Sequence, residues 1–181
     1  LNRISMISGL ATIVAMGGAF GFSIWTLRSV ILGHSLHFEP LEWLEVGSAT
    51  IEIGLLLDPL TAVMLVVVTG VSLLIQVYSL GYMQGDRRYH IYFANISLFT
   101  AGMLGLILSD NFLSFFICWE LMGFCSYSLI GHFHDKPSAA AACKKAFLTT
   151  RVGDVCLFLG VAILFSHYDT VAFSALFAGV Q

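Results

Sequence analysis

The sequence predicts an all-α polytopic membrane protein of about five transmembrane helices, with a short extracytoplasmic hairpin between the first two. Three observations carry that reading. Hydrophobic residues make up 58% of the chain and charged residues only 10%, with a mean hydropathy of +0.90, outside the balance a soluble domain keeps. Four segments, Ile4 to Leu27, Pro59 to Gly85, Tyr89 to Ser109 and Asn111 to His134, contain no Asp, Glu, Lys or Arg apart from Glu120 in the last. Each reaches the roughly 20 residues that cross about 30 Å of hydrocarbon. Finally, the basic residues Arg3, Arg87, Arg88 and Lys136 fall in connections on one side and the acidic run Glu39 to Glu52 on the other, the pattern of alternating helices.

Taken in order, the helices are expected at about 4–32, 58–83, 89–109, 111–131 and 138–167, all within one transmembrane region spanning 1–181. The first apolar run is too long for a signal-peptide core of about 7 to 15 residues. The connection 33–57 alternates over Glu42, Leu44 and Val46 against Trp43 and Glu45. It resumes as Thr50 and Glu52 against Ile51 and Ile53 after Gly47-Ser48-Ala49. This reads as a hairpin, with an irregular loop as the alternative. Asp58-Pro59 suits a helix start, with Asp58 as N-cap and proline at the first helical position. Pro137-Ser138 opens the last helix, which carries Lys144, Lys145, Arg151 and Asp154 and so turns a polar face toward other helices. The chain starts at Leu1 and runs out in a half-apolar tail, Val171 to Gln181; both ends are expected of a fragment of a longer subunit.

Orientation follows from the excess of Lys and Arg on the cytoplasmic side. Arg3, the turn Asp86-Arg87-Arg88 and the turn ending in Lys136 fall on one side, whereas the 33–57 connection holds Glu39, Glu42, Glu45 and Glu52 without a Lys or Arg. The first set is expected inside and the acidic connection outside, with Arg28 the exception.

Glu120 stands near the middle of the fourth helix, where an ionisable group costs roughly 2.5 to 3.5 kcal/mol on insertion scales and usually persists for function. Desolvation favours its neutral form and a nearby cation its charged form, so moving the cation or wetting the site loads and unloads a proton. The competing reading is a fixed ion pair or a permanently protonated carboxyl. Phe116, Gly123, Phe124 and Tyr127 share its helical face, and Gly123 leaves room for a close helix or for water. Arg151 and Asp154, three apart, can meet on one face near the middle of the fifth helix. A structural salt bridge and a part in proton movement both remain open for them. Lys144 and Lys145 lie two turns from the cytoplasmic end, within snorkelling range of the interface. They point about 100° apart, so at most one faces the helix of Glu120.

The remaining polar residues carry less. His132 and His134 sit at the inner end of the fourth helix, where interfacial anchoring is preferred over proton uptake. His34 and His37 share a helical face but have no third ligand, and His90 and His167 are read as interface residues. Cys118, Cys125, Cys143 and Cys156 lack metal-binding or disulfide spacing and read as small packing residues. Gly102, Gly105, Gly153 and Gly160 are expected to allow close helix packing. No phosphate-binding loop, nucleophile triad or basic nucleic-acid stripe is present.

Several words along the chain resemble those of a known family: Leu57-Asp58-Pro59-Leu60-Thr61, Asp110-Asn111-Phe112-Leu113, Trp119-Glu120-Leu121-Met122-Gly123-Phe124-Cys125-Ser126-Tyr127, and Lys145-Ala146-Phe147 leading to Thr150-Arg151-Val152-Gly153-Asp154. In order and spacing they are similar to the antiporter-like membrane subunit of respiratory complex I, the L-type (chain 5) subunit of NADH-quinone oxidoreductase, related to Mrp-type antiporter subunits. The resemblance covers about residues 40 to 168. It implies an antiporter-like module and proton translocation coupled to quinone reduction elsewhere in the complex. By position it implies that Glu120 is the family's membrane glutamate, whose lysine partner would lie outside this chain. Lys145, Arg151 and Asp154 match polar positions of the pathway, which favours Lys145 over Lys144.

The resemblance also implies no cofactor in this chain, with NADH, FMN, iron-sulfur clusters and quinone in other subunits. Expected partners are other membrane-arm subunits, the lipid bilayer and protons, without nucleic acid, in a bacterial plasma membrane. The enzyme activity would be that of NADH:quinone oxidoreductase, with this chain as a subunit. One alternative is a Na+/H+ antiporter or inorganic-carbon uptake membrane subunit of the same family. A second is a structural scaffold that transports no ion.

Overall fold

A computed structural model describes residues 3–33, 41–46 and 49–179. The elements run α1 (Arg3–Ile31), β1 (Leu41–Val46), β2 (Ala49–Ile53), α2 (Pro59–Tyr82), α3 (Tyr89–Leu108), α4 (Phe112–Ile130), α5 (Pro137–Tyr168) and α6 (Phe173–Gly179). Helices α1 to α5 are each long and apolar enough to cross a membrane, so the chain is a multi-pass integral membrane protein. β1 and β2 pair antiparallel, with an irregularity between Glu42 and Leu44; the hairpin forms, although its tip Gly47-Ser48 lies outside the described residues, as do His34 and His37. The short helix α6 occupies the tail for which no element was predicted, its Phe173 ring set edge-on against Phe112.

The helix starts follow their local chemistry. Asp58 caps α2, its Oδ1 accepting from Thr61 N at 2.6 Å, with Pro59 at the position where no N–H is needed. Asn111 does the same for α4, accepting from Ser114 N at 2.8 Å. Pro137 opens α5.

Side by side, α1 packs on α2 and α3, α2 on α3, α3 on α4, and α4 on α5. Burial is reversed from that of a soluble bundle. Helix α2 buries Thr69, Ser72, Gln76 and Ser79 while exposing Leu60, Val63, Val67, Val71, Leu74 and Val77. Lipid is as apolar as these side chains, so apolar faces gain nothing from burial and polar ones turn toward protein partners. Ser72 and Thr100 Oγ atoms are 2.7 Å apart, the Gln76 amide donates to Ser72 at 3.3 Å, and Ser79 lies 3.1 Å from the Tyr92 hydroxyl. At Gly105 a Cβ would stand 2.7 Å from Cys118 Sγ, and at Gly102 it would stand 3.2 Å from Met122, so these two glycines set the close approach of α3 and α4. Gly153 and Gly160 do not act this way, since a Cβ at either meets nothing within 4 Å. Gly153 lines open space beside α4 instead of a close helix contact, a distinction that small-residue spacing alone does not carry.

The two ends of the bundle differ. At the hairpin end, Leu56 N donates to Leu108 O at 2.9 Å, Asn111 Nδ2 to Glu52 O at 2.8 Å, and Phe112 N to Val171 O at 2.9 Å. At the opposite, basic end, the α2–α3 and α4–α5 turns meet through Arg88 and Asp135, 2.9 Å apart. The acidic connection and the basic turns are thus on opposite ends, as their charges predicted.

Candidate functional site

Helices α4 and α5 run antiparallel, and each step up one is matched by a step down the other. Phe116 meets Phe158 with ring centroids 5.6 Å apart, and Tyr127 meets Phe147 at 5.2 Å. Toward the basic end, Cys143 Sγ lies 3.2 Å from where a Cβ on Gly131 would be. Aromatic residues on the Glu120 face therefore define the seam, and the polar residues fall between them.

Two polar contacts bridge that interval. Arg151 Nη1 donates to Glu120 Oε2 in an ion pair, and Trp119 Nε1 donates to Asp154 Oδ1 at 2.9 Å. Arg151 also lies 3.8 Å from Asp154 Oδ2 and over the Phe147 ring at 4.6 Å. The Asp154 side chain is 8% exposed and that of Glu120 24%. One guanidinium thus stands between two carboxylates from different helices, on an aromatic shelf. An ionic group away from water is costly unless paired and hydrogen-bonded, and each of these three is.

The sequence expectation that Arg151 and Asp154 face each other holds, but neither is the other's nearest partner. Lys145 is exposed on α5, as is Lys144, and neither makes an ion pair among the described residues; Arg151 reaches Glu120 instead. The part of Trp119 was not read from the sequence. Its signal was present, because an indole N–H well inside an apolar helix needs an acceptor, and Asp154 is the acidic residue of the neighbouring helix.

Beside the seam, a cavity of ≈ 730 Å³ is lined by Phe99, Trp119, Gly123, Tyr127, Thr150 and Asp154 among others. A Cβ on Gly123 would meet nothing within 4 Å, so this glycine opens space beside the glutamate rather than seating a helix of this chain. No group of three or more metal-binding side chains occurs among the described residues.

The histidines at the basic end divide. His134 is exposed, whereas the His132 side chain is 4% exposed, 3.4 Å from Asp86 Oδ2, with Tyr92 edge-on to it. Anchoring in the interface does not describe His132; the α2–α3 turn covers it. Asp86 Oδ1 accepts from Arg88 N at 2.6 Å, and that bond, with the contact to His132, holds the carboxyl below the usual carboxylate range.

Comparisons with known proteins place the chain in a family and a fold. Residues 43–93 match the family described as NADH-ubiquinone oxidoreductase (complex I), chain 5 N-terminus, and residues 109–181 match NADH:quinone oxidoreductase/Mrp antiporter, TM. NAD(P)H-quinone oxidoreductase subunit 5, chloroplastic, of Chlorokybus atmophyticus is 50% identical over 153 residues, which are 84% of this chain and 23% of the relative. NAD(P)H-quinone oxidoreductase chain 5 of Synechocystis sp. is 43% identical over 164 residues, 91% of this chain and 24% of the relative. The chain therefore spans about a quarter of the length of these relatives. A chain of the Mrp complex from Dietzia sp. superposes with a TM-score of 0.77 at 20% identity, covering 93% of this chain and 31% of that one. A chain of the archaeal membrane-bound sulfane sulfur reductase gives 0.76 at 18% identity, covering 93% and 34%; both speak to the fold alone.

Proposed function

Because this chain belongs to the chain 5 type of antiporter-like membrane subunit, we propose that it forms part of a proton-translocating subunit in the membrane arm of an NAD(P)H-quinone oxidoreductase. The observation that carries this reading is the Glu120–Arg151 ion pair near the middle of two membrane helices, with Asp154 as a second carboxylate for the same guanidinium. In a dry site a carboxylate ionises when a cation is near and takes up a proton when the cation leaves. Movement of the Arg151 head from Glu120 toward Asp154 therefore loads Glu120, and its return expels the proton. Trp119 steadies Asp154. Lys145, exposed and unpaired among the described residues, supplies a further basic group for the pathway toward the basic end.

In this reading the chain holds no redox centre; NADH, FMN, iron-sulfur clusters and quinone belong to other subunits, and its partners are neighbouring membrane-arm subunits and lipid. The proposed location is a bacterial plasma membrane, with the basic end inside. Relatives named as chloroplastic make an organellar membrane the alternative. An antiporter reading is kept because the second family description names both systems.

The test is Glu120→Gln in the intact complex reconstituted in vesicles. Loss of proton transport with normal assembly is expected. Transport at the wild-type rate would overturn the reading and leave a scaffold, and a sodium-dependent proton flux without quinone reduction would favour the antiporter.

A further inference from the structure

We propose that His132 and Asp86 form a proton-uptake site at the basic end, separate from the Glu120 seam. The inference rests on the proton-transport reading above, and four observations lead to it. First, the His132 ring is almost fully covered, yet it touches the carboxylate of a solvent-side turn at 3.4 Å. Second, among the described residues His132 is the basic side chain in contact with that oxygen, Asp86 Oδ2. Asp86 Oδ1 is taken by the Arg88 backbone N–H, and the Arg88 guanidinium is turned away to Asp135 and the His134 ring. Third, Tyr92 stands edge-on to His132, and its hydroxyl is 3.1 Å from that of Ser79. Fourth, Ser79 shares a buried face of α2 with Gln76 and Ser72, and those two are linked to each other and on to Thr100.

A lone imidazole in the fold needs only one acceptor for one N–H. Here a charged carboxylate is held against a covered ring beside a buried polar face, so one ring nitrogen has a fixed partner in Asp86. A proton from solvent adds to the free ring nitrogen, the cation is held by Asp86, and release from the ring returns it neutral. Asp86 from the α2–α3 turn, Tyr92 from α3 and Phe133 on its own turn stand against His132, while the nearby Arg88, His134 and Asp135 contact one another and Lys136 lies over Phe133. Among the described residues, Arg88 pairs with Asp135 and does not compete for Asp86 Oδ2.

The test is the pH dependence of proton transport by the full complex in vesicles. His132→Gln keeps a donor for Asp86 but cannot titrate, and transport at alkaline pH is expected to fall by about tenfold or more while assembly stays normal. Asp86→Asn keeps the shape and removes the charge, so the alkaline midpoint is expected to move to lower pH. Normal assembly with an unchanged pH profile in both variants would overturn the proposal and leave a structural clasp. If His132→Gln cannot assemble, Asp86→Asn decides alone by its midpoint. An unchanged profile here beside a dead Glu120→Gln variant refutes only this site, whereas an active Glu120→Gln variant refutes the transport reading itself.

Discussion

Glu120 on α4 and Arg151 on α5 are ion-paired across a helix seam, and Arg151 is shared with Asp154 one turn further along its own helix. Removing one partner leaves a charge with reduced compensation in an apolar setting, which costs about 3 to 5 kcal/mol when a buried pair is broken. Arg151→Ala is therefore expected to lower the melting temperature of the purified protein sharply. The Glu120→Gln, Arg151→Gln double variant should be more stable than the sum of the singles by about 0.5 to 3 kcal/mol; strict additivity would show that the two side chains do not interact.

Exchanging the charges within α5 separates two accounts of the same residues. If Arg151 and Asp154 were a self-contained pair, Arg151→Asp with Asp154→Arg would restore assembly. The observed geometry predicts failure, because the swap sets an aspartate against Glu120 and takes the acceptor from Trp119. Assembly measured by native gel decides, and recovery would disprove the cross-helix arrangement.

Trp119→Phe keeps an aromatic ring and removes the N–H donor. Hydrogen bonds to charged groups contribute about 1.5 to 3 kcal/mol, so stability should fall by that order through Asp154. Trp119→Phe in an Asp154→Asn background is expected to show a smaller loss. Equal losses in both backgrounds would mean that the indole acts through packing alone.

How much of this was legible in the sequence depends on which neighbour decides each side chain. The helices of the bundle follow from charge-free length, and the cap at Asp58 from residues within three positions; the cap at Asn111 uses equally local chemistry but was not read. Glu120 stood out because a carboxylate in an apolar run is conspicuous alone. The partner of Glu120 did not, since choosing Arg151 over Lys145 requires the register of α4 against α5, which the aromatic contacts set. His132 shows the same limit: its covering turn lies far away in sequence, so only the fold separates it from exposed His134. Gly102 and Gly153 look alike as letters, and only at the first would a Cβ touch a neighbouring helix.

A methyl group at Gly105 should wedge α3 from α4. The added Cβ would lie 2.7 Å from Cys118 Sγ, and overpacking of this kind costs about 1 to 3 kcal/mol. Gly105→Ala is expected to destabilise, and Cys118→Ala in the same chain to recover most of the loss. Equal thermal stability of Gly105→Ala and wild type would disprove the contact.

Asp58 offers a prediction in pH. The Thr61 backbone N–H lowers its carboxyl below the ordinary value in the folded protein. The cap's contribution is therefore full above the unfolded pKa of about 3.9 and is lost as pH falls through the lower folded value. Asp58→Ala should cost about 1 kcal/mol at neutral pH. Thermal unfolding in detergent should show the gap from wild type closing in strong acid; a gap of constant size would count against the charged cap.

Asn111 gives the hairpin end a mechanical character. Its Oδ1 caps α4, its Nδ2 holds the carbonyl of Glu52, and its backbone bridges to Ala172. One residue thus pins a strand, a helix end and the segment after α5 to a common point. The hairpin cannot slide along the bundle without breaking that joint or dragging the end of α4 with it. A push delivered to the outer strand by a neighbouring protein would arrive, through a single amide, at the rod on which Glu120 is mounted.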